Sequence, residues 1–157
     1  MNNIVVAVAG TAASLATAKY AIYLAKILSV RLTGVYVVDE KTLKELLKSR
    51  IFVEVEAIQY EQDLREQGEL FLARFKKMAE SKGVECAVTM LEGVVHEEMI
   101  KKTVEVGADL LVMGQPKERL SRVDVYYDEG EKILREAPCP VVLVRDTERV
   151  EQLFKEI

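Results

Sequence analysis

Five short apolar runs, separated by stretches of helical periodicity, constrain the fold of this chain more than any other feature. They are rich in valine, mostly continuous rather than alternating, and lie at residues 4–9, 32–38, 84–90, 110–113 and 141–144. Continuous apolar strands are typical of a parallel sheet whose two faces are both covered by helices. The sequence therefore predicts an α/β fold with a doubly wound, five-stranded parallel sheet and helices on both faces.

The stretches between the runs predict four helices that cross from one strand to the next. The first begins near Ser14, and the others include residues 63–81, 95–106 and 126–137. Lys82-Gly83 is expected to stop the longest helix, since glycine favours the left-handed conformation that ends many helices. Pro138 and Pro140 are expected to end the last one, because proline has no backbone N–H to donate.

The chain has 157 residues, half of them hydrophobic. That length suits one core, so residues 1–157 are predicted to form a single domain. A helical insertion is expected at about 39–60, because this segment is longer than a strand-to-helix turn needs. It is either a surface helix packed on the domain or a lid. Residues 146–157 are expected to form a short tail, as one exposed helix.

Charge and cysteine content exclude several classes of function. With 22 basic and 26 acidic side chains, the net charge of −4 gives no general attraction to nucleic acid or to an anionic membrane. The two cysteines, Cys86 and Cys139, form neither a metal-binding pattern nor a secreted disulfide framework. The N-terminus lacks the basic leader of a signal peptide. We therefore expect a cytoplasmic protein without metal, nucleic-acid or membrane partners.

The turn after the first strand is the first place to look for a ligand, since ligands of open parallel sheets bind at the carboxyl ends of strands. This turn contains Gly10, Thr11 and Ser14, and the hydroxyl of Thr11 or Ser14 is suited to capping the first helix. It holds neither G-x-G-x-x-G nor G-x-x-x-x-G-K-[ST], the glycine patterns that cradle phosphates. Capping alone explains the turn.

No catalytic residue is predicted. His96, the one histidine of the chain, falls in the first turn of the third helix, where we expect it to face solvent. The acidic pairs Glu97-Glu98 and Glu129-Glu131 are expected on exposed helix faces. Cys86 and Cys139 are interpreted as small packing residues rather than nucleophiles.

Two segments resemble the universal stress proteins, and the resemblance extends over nearly the whole chain. They read Gly107-Ala108-Asp109-Leu110-Leu111-Val112-Met113-Gly114 and Ala137-Pro138-Cys139-Pro140-Val141-Val142-Leu143-Val144-Arg145, and their separation needs no gap. The resemblance implies strand order 3-2-1-4-5, in an adenine nucleotide alpha-hydrolase-like fold, and usually a homodimer. It also implies that the last strand, Val141, Val142, Leu143 and Val144, lies at a sheet edge, where an uncovered apolar strand invites pairing.

Members of this family that bind ATP carry an aspartate at the end of the first strand and a pattern G-x2-G-x9-G-[ST] after the fourth. This sequence has Ala9 at the aspartate position, keeps the first glycine as Gly114 and replaces the second by Lys117. Tyr127-Asp128 stands in place of the last Gly-Ser pair. A bulky ring and a carboxylate would then lie where phosphates bind, so no cofactor is expected.

A vestigial or altered nucleotide pocket would be lined by Gly10, Thr11, Val37, Gly114 and Lys117. By the resemblance, Val37 and its neighbours Tyr36 and Val38 form an apolar wall against adenine; in this chain they are equally explained as core. ATP or AMP would bind only if the basic loop of Lys117, Arg119 and Arg122 replaces the missing glycines.

These observations predict a dimeric binding and interaction module that acts in stress response through a partner or another small ligand. The alternative is an adenine-nucleotide-binding member with slow hydrolysis or phosphotransfer, for which Asp128 is the one plausible base or metal ligand. A response-receiver domain has the same alternation but needs acidic residues at the ends of the first and third strands. Those strands end in Ala9-Gly10-Thr11 and Met90-Leu91-Glu92.

Overall fold

A computed structural model describes residues 1–8, 15–50, 53–115, 125–145 and 147–157 of the chain. The strands are β1 (Asn3–Ala7), β2 (Arg31–Asp39), β3 (Cys86–Gly93), β4 (Leu110–Gly114) and β5 (Val141–Val144). The helices are α1 (Leu15–Leu28), α2 (Glu40–Lys48), α3 (Glu54–Ser81), α4 (Val95–Glu105), α5 (Val125–Glu136) and α6 (Glu148–Lys155).

The five strands form one parallel sheet in the order β3-β2-β1-β4-β5, which confirms the predicted fold. In the centre, Val5 of β1 lies opposite Thr33 of β2 and Leu111 of β4. Four consecutive residues of β1, from Ile4 to Ala7, are fully buried. This is the burial expected of a strand with a neighbour on each side and a helix layer on each face.

The helices divide the core into two layers. On one face, α1 and α3 cover Ile4, Val6 and Leu32, and Phe75 is the largest fully buried side chain of this layer. On the other face, residues of α4 and α5 such as Met99 and Ile133 pack against Val5, Ala7 and their neighbours. Apolar side chains of β1 therefore enter the two layers alternately, as the period of two in a strand requires.

Several boundaries differ from those predicted by the sequence pattern. The longest helix includes 63–81 as predicted and begins earlier, at Glu54, so α2 and the first turns of α3 account for most of the predicted insertion. The strand expected at 84–90 begins and ends later, at Cys86–Gly93, because all eight of its residues pair with β2. Gly83, with φ of 74°, follows the end of α3 as predicted.

The C-terminal segment is not a free exposed helix. Helix α6 packs on α1, with Val150 buried in the core layer of α1 and α3. Lys19 of α1 pairs with Glu151, whose pKa is held below its usual range by the hydrogen bond from that ammonium. The ammonium of Lys82 lies 4.7 Å from the centre of the Phe154 ring. The prediction of an exposed helix was wrong, because the apolar side of this short amphipathic helix is covered.

Two glycines allow aromatic rings to pack against backbone. A Cβ built on Gly68 of α3 would lie 2.6 Å from the ring of Tyr36, and one on Gly34 of β2 would lie 2.7 Å from the ring of Phe75. Each distance is far inside van der Waals contact. Together the two pairs bring α3 close to β2, and burial, followed by the proximity of Tyr60, raises the pKa of the Tyr36 hydroxyl.

We expect Gly68→Ala to destabilise the protein by about 1–3 kcal/mol, because the new methyl group would overpack the Tyr36 ring. In an exposed helix the same change would stabilise by up to about 1 kcal/mol. A decrease in the free energy of unfolding would therefore show that the methyl group meets the Tyr36 ring, and an increase would show that it does not. Chemical denaturation measures it, and in a Tyr36→Ala background the Gly68→Ala change is expected to lose its penalty. Stabilisation by Gly68→Ala in the unaltered protein would contradict the close approach.

Candidate functional site

The carboxyl edge of the sheet is the place where an open parallel sheet presents its ligand site. After β1, the amide of Val8 donates a hydrogen bond to the carbonyl of Val35. After β2, the chain enters α2 without a loop: Asp39 ends the strand and Glu40 begins the helix. Strand β3 ends at Gly93, Val94 is the N-cap residue, and α4 begins at Val95. The amino terminus of α4 therefore also lies at this edge.

The structure describes only part of the nucleotide pocket predicted from the sequence. Ala9, Gly10, Thr11, Lys117, Arg119 and Arg122 lie outside the described residues, as do the side chains of Tyr127 and Asp128. Val37 is buried in the core layer of α4 and α5. Gly114 is the buried last residue of β4 and lies opposite Val144. Val37 and Gly114 are thus at the same edge of the sheet, on strands separated by β1.

A buried carboxylate that the sequence analysis missed lies between α4 and α5. The side chain of Glu129, on α5, is 1% exposed. Its Oε2 accepts a hydrogen bond from the backbone N–H of His96 at 2.7 Å and lies 2.6 Å from Nδ1 of the same residue. The carboxylate therefore caps the amino terminus of α4 from a neighbouring helix, where Val94 supplies no side-chain cap of its own.

Two lysines lie near the other oxygen of this carboxylate. Lys41 of α2 is 3.7 Å from Oε1 of Glu129, and Lys132 of α5 is 3.8 Å from it. Both contacts are ion pairs, longer than hydrogen bonds. Oε1 of Glu129 is the single buried side-chain polar atom without a hydrogen-bond partner in the described part of the chain. Through Lys41, the cluster joins the α2 segment to α4 and α5.

Two predictions on these residues were wrong. His96 does not face solvent, since its side chain is only 13% exposed, and Glu129 does not lie on an exposed helix face. The helical period contained the signal for Glu129: it precedes the fully buried Ile133 by four residues, so the two share one face of α5. The interpretation of both acidic pairs as solvated missed the buried position of Glu129.

The remaining candidate groups take part in packing or in backbone hydrogen bonds. Cys86 is buried, and burial raises the pKa of its thiol to about 12; burial also raises the pKa of Cys139, which is partly covered by the second core layer. Both cysteines therefore contribute to the packing of the core layers. Asp109 accepts backbone hydrogen bonds from Asn2 and Asn3, which lower the pKa of its carboxyl group. Within the described residues, no three His, Cys, Asp or Glu side chains gather in a way that could hold a metal ion.

One cleft in the described part of the structure lies away from the carboxyl edge. It has a volume of about 500 Å³ and lies at the opposite edge, where Ser29 and Gly83 follow the ends of α1 and α3. Lys26 and Arg31 also line it. It is open to solvent, whereas the strand ends at which open parallel sheets bind ligands lie at the carboxyl edge, which is therefore the better candidate site.

Comparison with known proteins agrees with the fold and with the motifs at this edge. A model of the universal stress protein family matches residues 1–145. A universal stress protein of Methanocaldococcus jannaschii is 34% identical over 143 residues, which make up 90% of this chain and 81% of the relative. The chain therefore belongs to the universal stress protein family, and this membership supports a role in stress response.

Solved structures give the same architecture. A universal stress family protein from Burkholderia pseudomallei has a TM-score of 0.62 and 25% identity, covering 89% of this chain and 94% of that one. A universal stress protein in complex with cAMP has a TM-score of 0.66 and covers 93% of this chain and 98% of that one; at 16% identity it shows the fold alone. None of the described helices is both long and apolar enough to cross a membrane.

We expect Glu129→Ala to destabilise the protein by about 1–3 kcal/mol, because it leaves the His96 backbone N–H and ring without their acceptor. Glu131→Ala is the matched control on the same helix, since Glu131 is less buried and is expected to change stability by at most about 0.5 kcal/mol. Urea denaturation followed by circular dichroism compares the two. Equal stabilities would show that Glu129 does not hold α4 and α5 together.

Proposed function

We propose that this protein is a dimeric binding and interaction module of the universal stress type that does not bind ATP in the family's usual way. It acts, in this proposal, through a protein partner or another small ligand in the cytoplasm, and not through turnover of a substrate. The observation that carries the proposal is the set of replacements at the expected nucleotide positions: Ala9, Lys117 and Tyr127-Asp128 in place of Asp, Gly and Gly-Ser.

Each replacement removes a specific interaction with a nucleotide. Ala9 has no carboxylate to accept a hydrogen bond from the nucleoside. Lys117 and Tyr127 carry side chains where glycine lets backbone N–H groups approach phosphate oxygens. By the resemblance, Asp128 takes the position of the serine that contacts the phosphates, where its negative charge would cost about 4 kcal/mol for a contact of ~4 Å at an effective dielectric constant of ~20.

The described part of the carboxyl edge is consistent with a ligand other than ATP. Helix α2 follows β2 without a loop, and its Lys41 reaches the buried Glu129. Val37 is enclosed in the core rather than left as an open wall. A ligand that contacted α2 at this edge would use residues that the family's nucleotide motif does not include.

A second candidate function is binding of a smaller adenine nucleotide. The structural neighbour solved with cAMP supports it, since that ligand carries one phosphate rather than three. Gly114 and the cationic side chains of Lys117, Arg119 and Arg122 would then serve in place of the glycine loop. The pocket so formed is the altered one predicted from Gly10, Thr11, Val37, Gly114 and Lys117.

The dimer is proposed to form around β5. Among the described residues this strand pairs with β4 and has no strand on its other side. Leu143 is 43% exposed, while Val141 and Val142 are partly exposed and Val144 is buried. Two copies related by a two-fold axis would cover this apolar edge with the same residues from each copy. Proteins of this family are often dimeric, which agrees with the proposal.

We expect calorimetry to show that ATP binds no tighter than about 0.1 mM, because the phosphate pocket lacks backbone donors and carries Asp128. The combined variant Ala9→Asp, Lys117→Gly, Tyr127→Gly and Asp128→Ser is expected to gain measurable affinity, since changes in one pocket are coupled. Titrations with AMP and cAMP on the same samples test the second candidate. Micromolar binding of ATP by the unaltered protein would refute the proposal.

Leu143→Lys is expected to weaken the dimer by at least about tenfold in its dissociation constant, because a charge in an apolar interface loses its hydration. Glu148→Lys is a suitable control, since this exposed residue at the start of α6 makes no described contact with β5. Sedimentation velocity over a concentration series measures both variants. If the unaltered protein sediments as a monomer at roughly tens of micromolar, the proposed interface is wrong.

A further inference from the structure

Strand β3 forms the edge of the sheet opposite β5. Among the described residues it pairs with β2 and has no strand on its other side. Of its eight residues only Cys86 is buried, whereas every residue of β4 is buried. Ala87 is exposed, and the residues from Val88 to Leu91 are half-buried. In the described part of the chain, this edge is therefore accessible to a binding partner.

The register of β3 shows which of its backbone groups point away from the sheet. The N–H of Leu32 donates a hydrogen bond to the carbonyl of Glu85, and Leu32 lies opposite Cys86. In a parallel ladder, a residue bonds to the two residues that flank its partner, so Glu85 faces β2 and Cys86 faces away. The alternation continues along the strand. The N–H and C=O groups of Val88 and Met90 therefore also point outward.

Strand β3 lacks the features by which natural proteins protect a sheet edge. Short length, lysine, proline and bulges all discourage pairing with a further strand. Strand β3 is eight residues long, pairs with β2 in an unbroken register and contains neither lysine nor proline. Its side chains from Cys86 to Leu91 are uncharged at neutral pH. Such a row of outward donors and acceptors is a template for one more strand.

A cleft beside this edge has room for a side chain of an added strand. It has a volume of about 320 Å³, and its lining includes Thr33, Ala87 and Val106. It lies on the α4 side of the sheet, because Val35 and Leu91, which point to the same face, pack in the layer of α4 and α5. Directly opposite residues of paired strands share a face, so the residue beside Ala87 would point into the cleft. A large apolar or aromatic side chain suits that position.

Glu85 determines the charge that an added strand should carry. It is exposed, lines the cleft and makes no ion pair with a described residue. At the other end of the strand, Glu92 already pairs with Arg65. Arg31 also lines the cleft, but it belongs to β2 and is one strand farther from the open edge. Since opposite charges on neighbouring strands stabilise a sheet, a cationic side chain beside Glu85 is favoured.

We propose that β3 is the docking site for an extended segment of a partner protein. The segment joins the sheet as an additional antiparallel strand, with a cationic residue beside Glu85 and a large apolar residue beside Ala87. A second copy of this chain fits less well, because β3 contains no lysine or arginine to pair with Glu85. The proposal rests on the interaction role proposed above and names its partner class. It uses neither the nucleotide positions nor β5, so its test is separate from calorimetry and sedimentation.

Amide hydrogen exchange of the protein alone tests whether the edge is open. We expect the amides of Val88 and Met90 to exchange at least about tenfold faster than those of Ala87 and Thr89, because only the latter donate to β2. Protection of Val88 and Met90 in dilute protein would show that the edge is already covered, and would overturn the proposal. Protection that appears only as the protein concentration rises would assign the edge to a second copy instead.

The probe for docking is the peptide acetyl-Thr-Val-Thr-Val-Tyr-Val-Lys-amide, titrated into isotope-labelled protein and followed by NMR. In the antiparallel register its lysine lies beside Glu85 and its tyrosine beside Ala87. We expect saturable shifts of the amide signals of Val88 and Met90, with slower exchange of both. The same peptide with N-methylated valines is expected to bind at least about tenfold more weakly, because its valines cannot donate to β3. Equal binding of the two peptides would overturn the proposal.

Charge reversal tests the specificity of the docking site. Glu85→Lys is expected to weaken binding of the lysine peptide by at least about threefold, and to strengthen binding of a peptide with glutamate in place of that lysine. Glu148→Lys, an exposed charge reversal on α6, is the control and should bind both peptides as the unaltered protein does. Circular dichroism verifies that each variant is folded. The proposal is wrong if the unaltered protein shows no saturable shift at roughly 1 mM peptide, or if Glu85→Lys keeps the original preference.

Discussion

The structure depends on one constraint, which is that β1 must be covered on every side. Four of its five residues, from Ile4 to Ala7, are fully buried, with β2 and β4 as neighbours and helices above and below. A parallel strand reaches that state only if the crossover helices lie on both faces of the sheet. The division into an α1 and α3 layer and an α4 and α5 layer follows. The carboxyl ends of all five strands then meet at one edge, and the cluster around Glu129 lies there.

The parts of the fold that could be predicted are those governed by hydrophobic periodicity. Continuous valine-rich runs predicted the parallel sheet, and Gly83 and the prolines marked helix ends that the structure confirms. Strand boundaries that depend on pairing were harder to predict from periodicity. Strand β3 extends to Gly93 because β2 provides pairing residues as far as Asp39. The packing of α6 on α1 was missed because its buried side is formed by few residues, chiefly Val150, and by the ion pair of Lys19 with Glu151.

The candidate site shows a different kind of limit. Glycine and aspartate motifs can be compared with a family pattern position by position, which is how the replacements at Ala9 and Lys117 were found. The contact of Glu129 with His96 joins residues 33 positions apart, and it exists only once α4 and α5 lie side by side. Single-sequence reasoning treats a glutamate as solvated by default, since a buried carboxylate is rare unless it is paired. The pairing partner is visible only in three dimensions.

The two glycine and aromatic pairs between α3 and β2 restrict how this sequence can change over time. Gly68 accommodates the ring of Tyr36, and Gly34 accommodates that of Phe75. A side chain at either glycine is tolerated only after the facing ring has become smaller, whereas the ring can shrink first at the cost of a cavity. The order of substitutions is therefore fixed within each pair. In related sequences, positions 34 and 75 should covary, and so should positions 36 and 68. Sequences with a large residue at both positions of a pair should be rare.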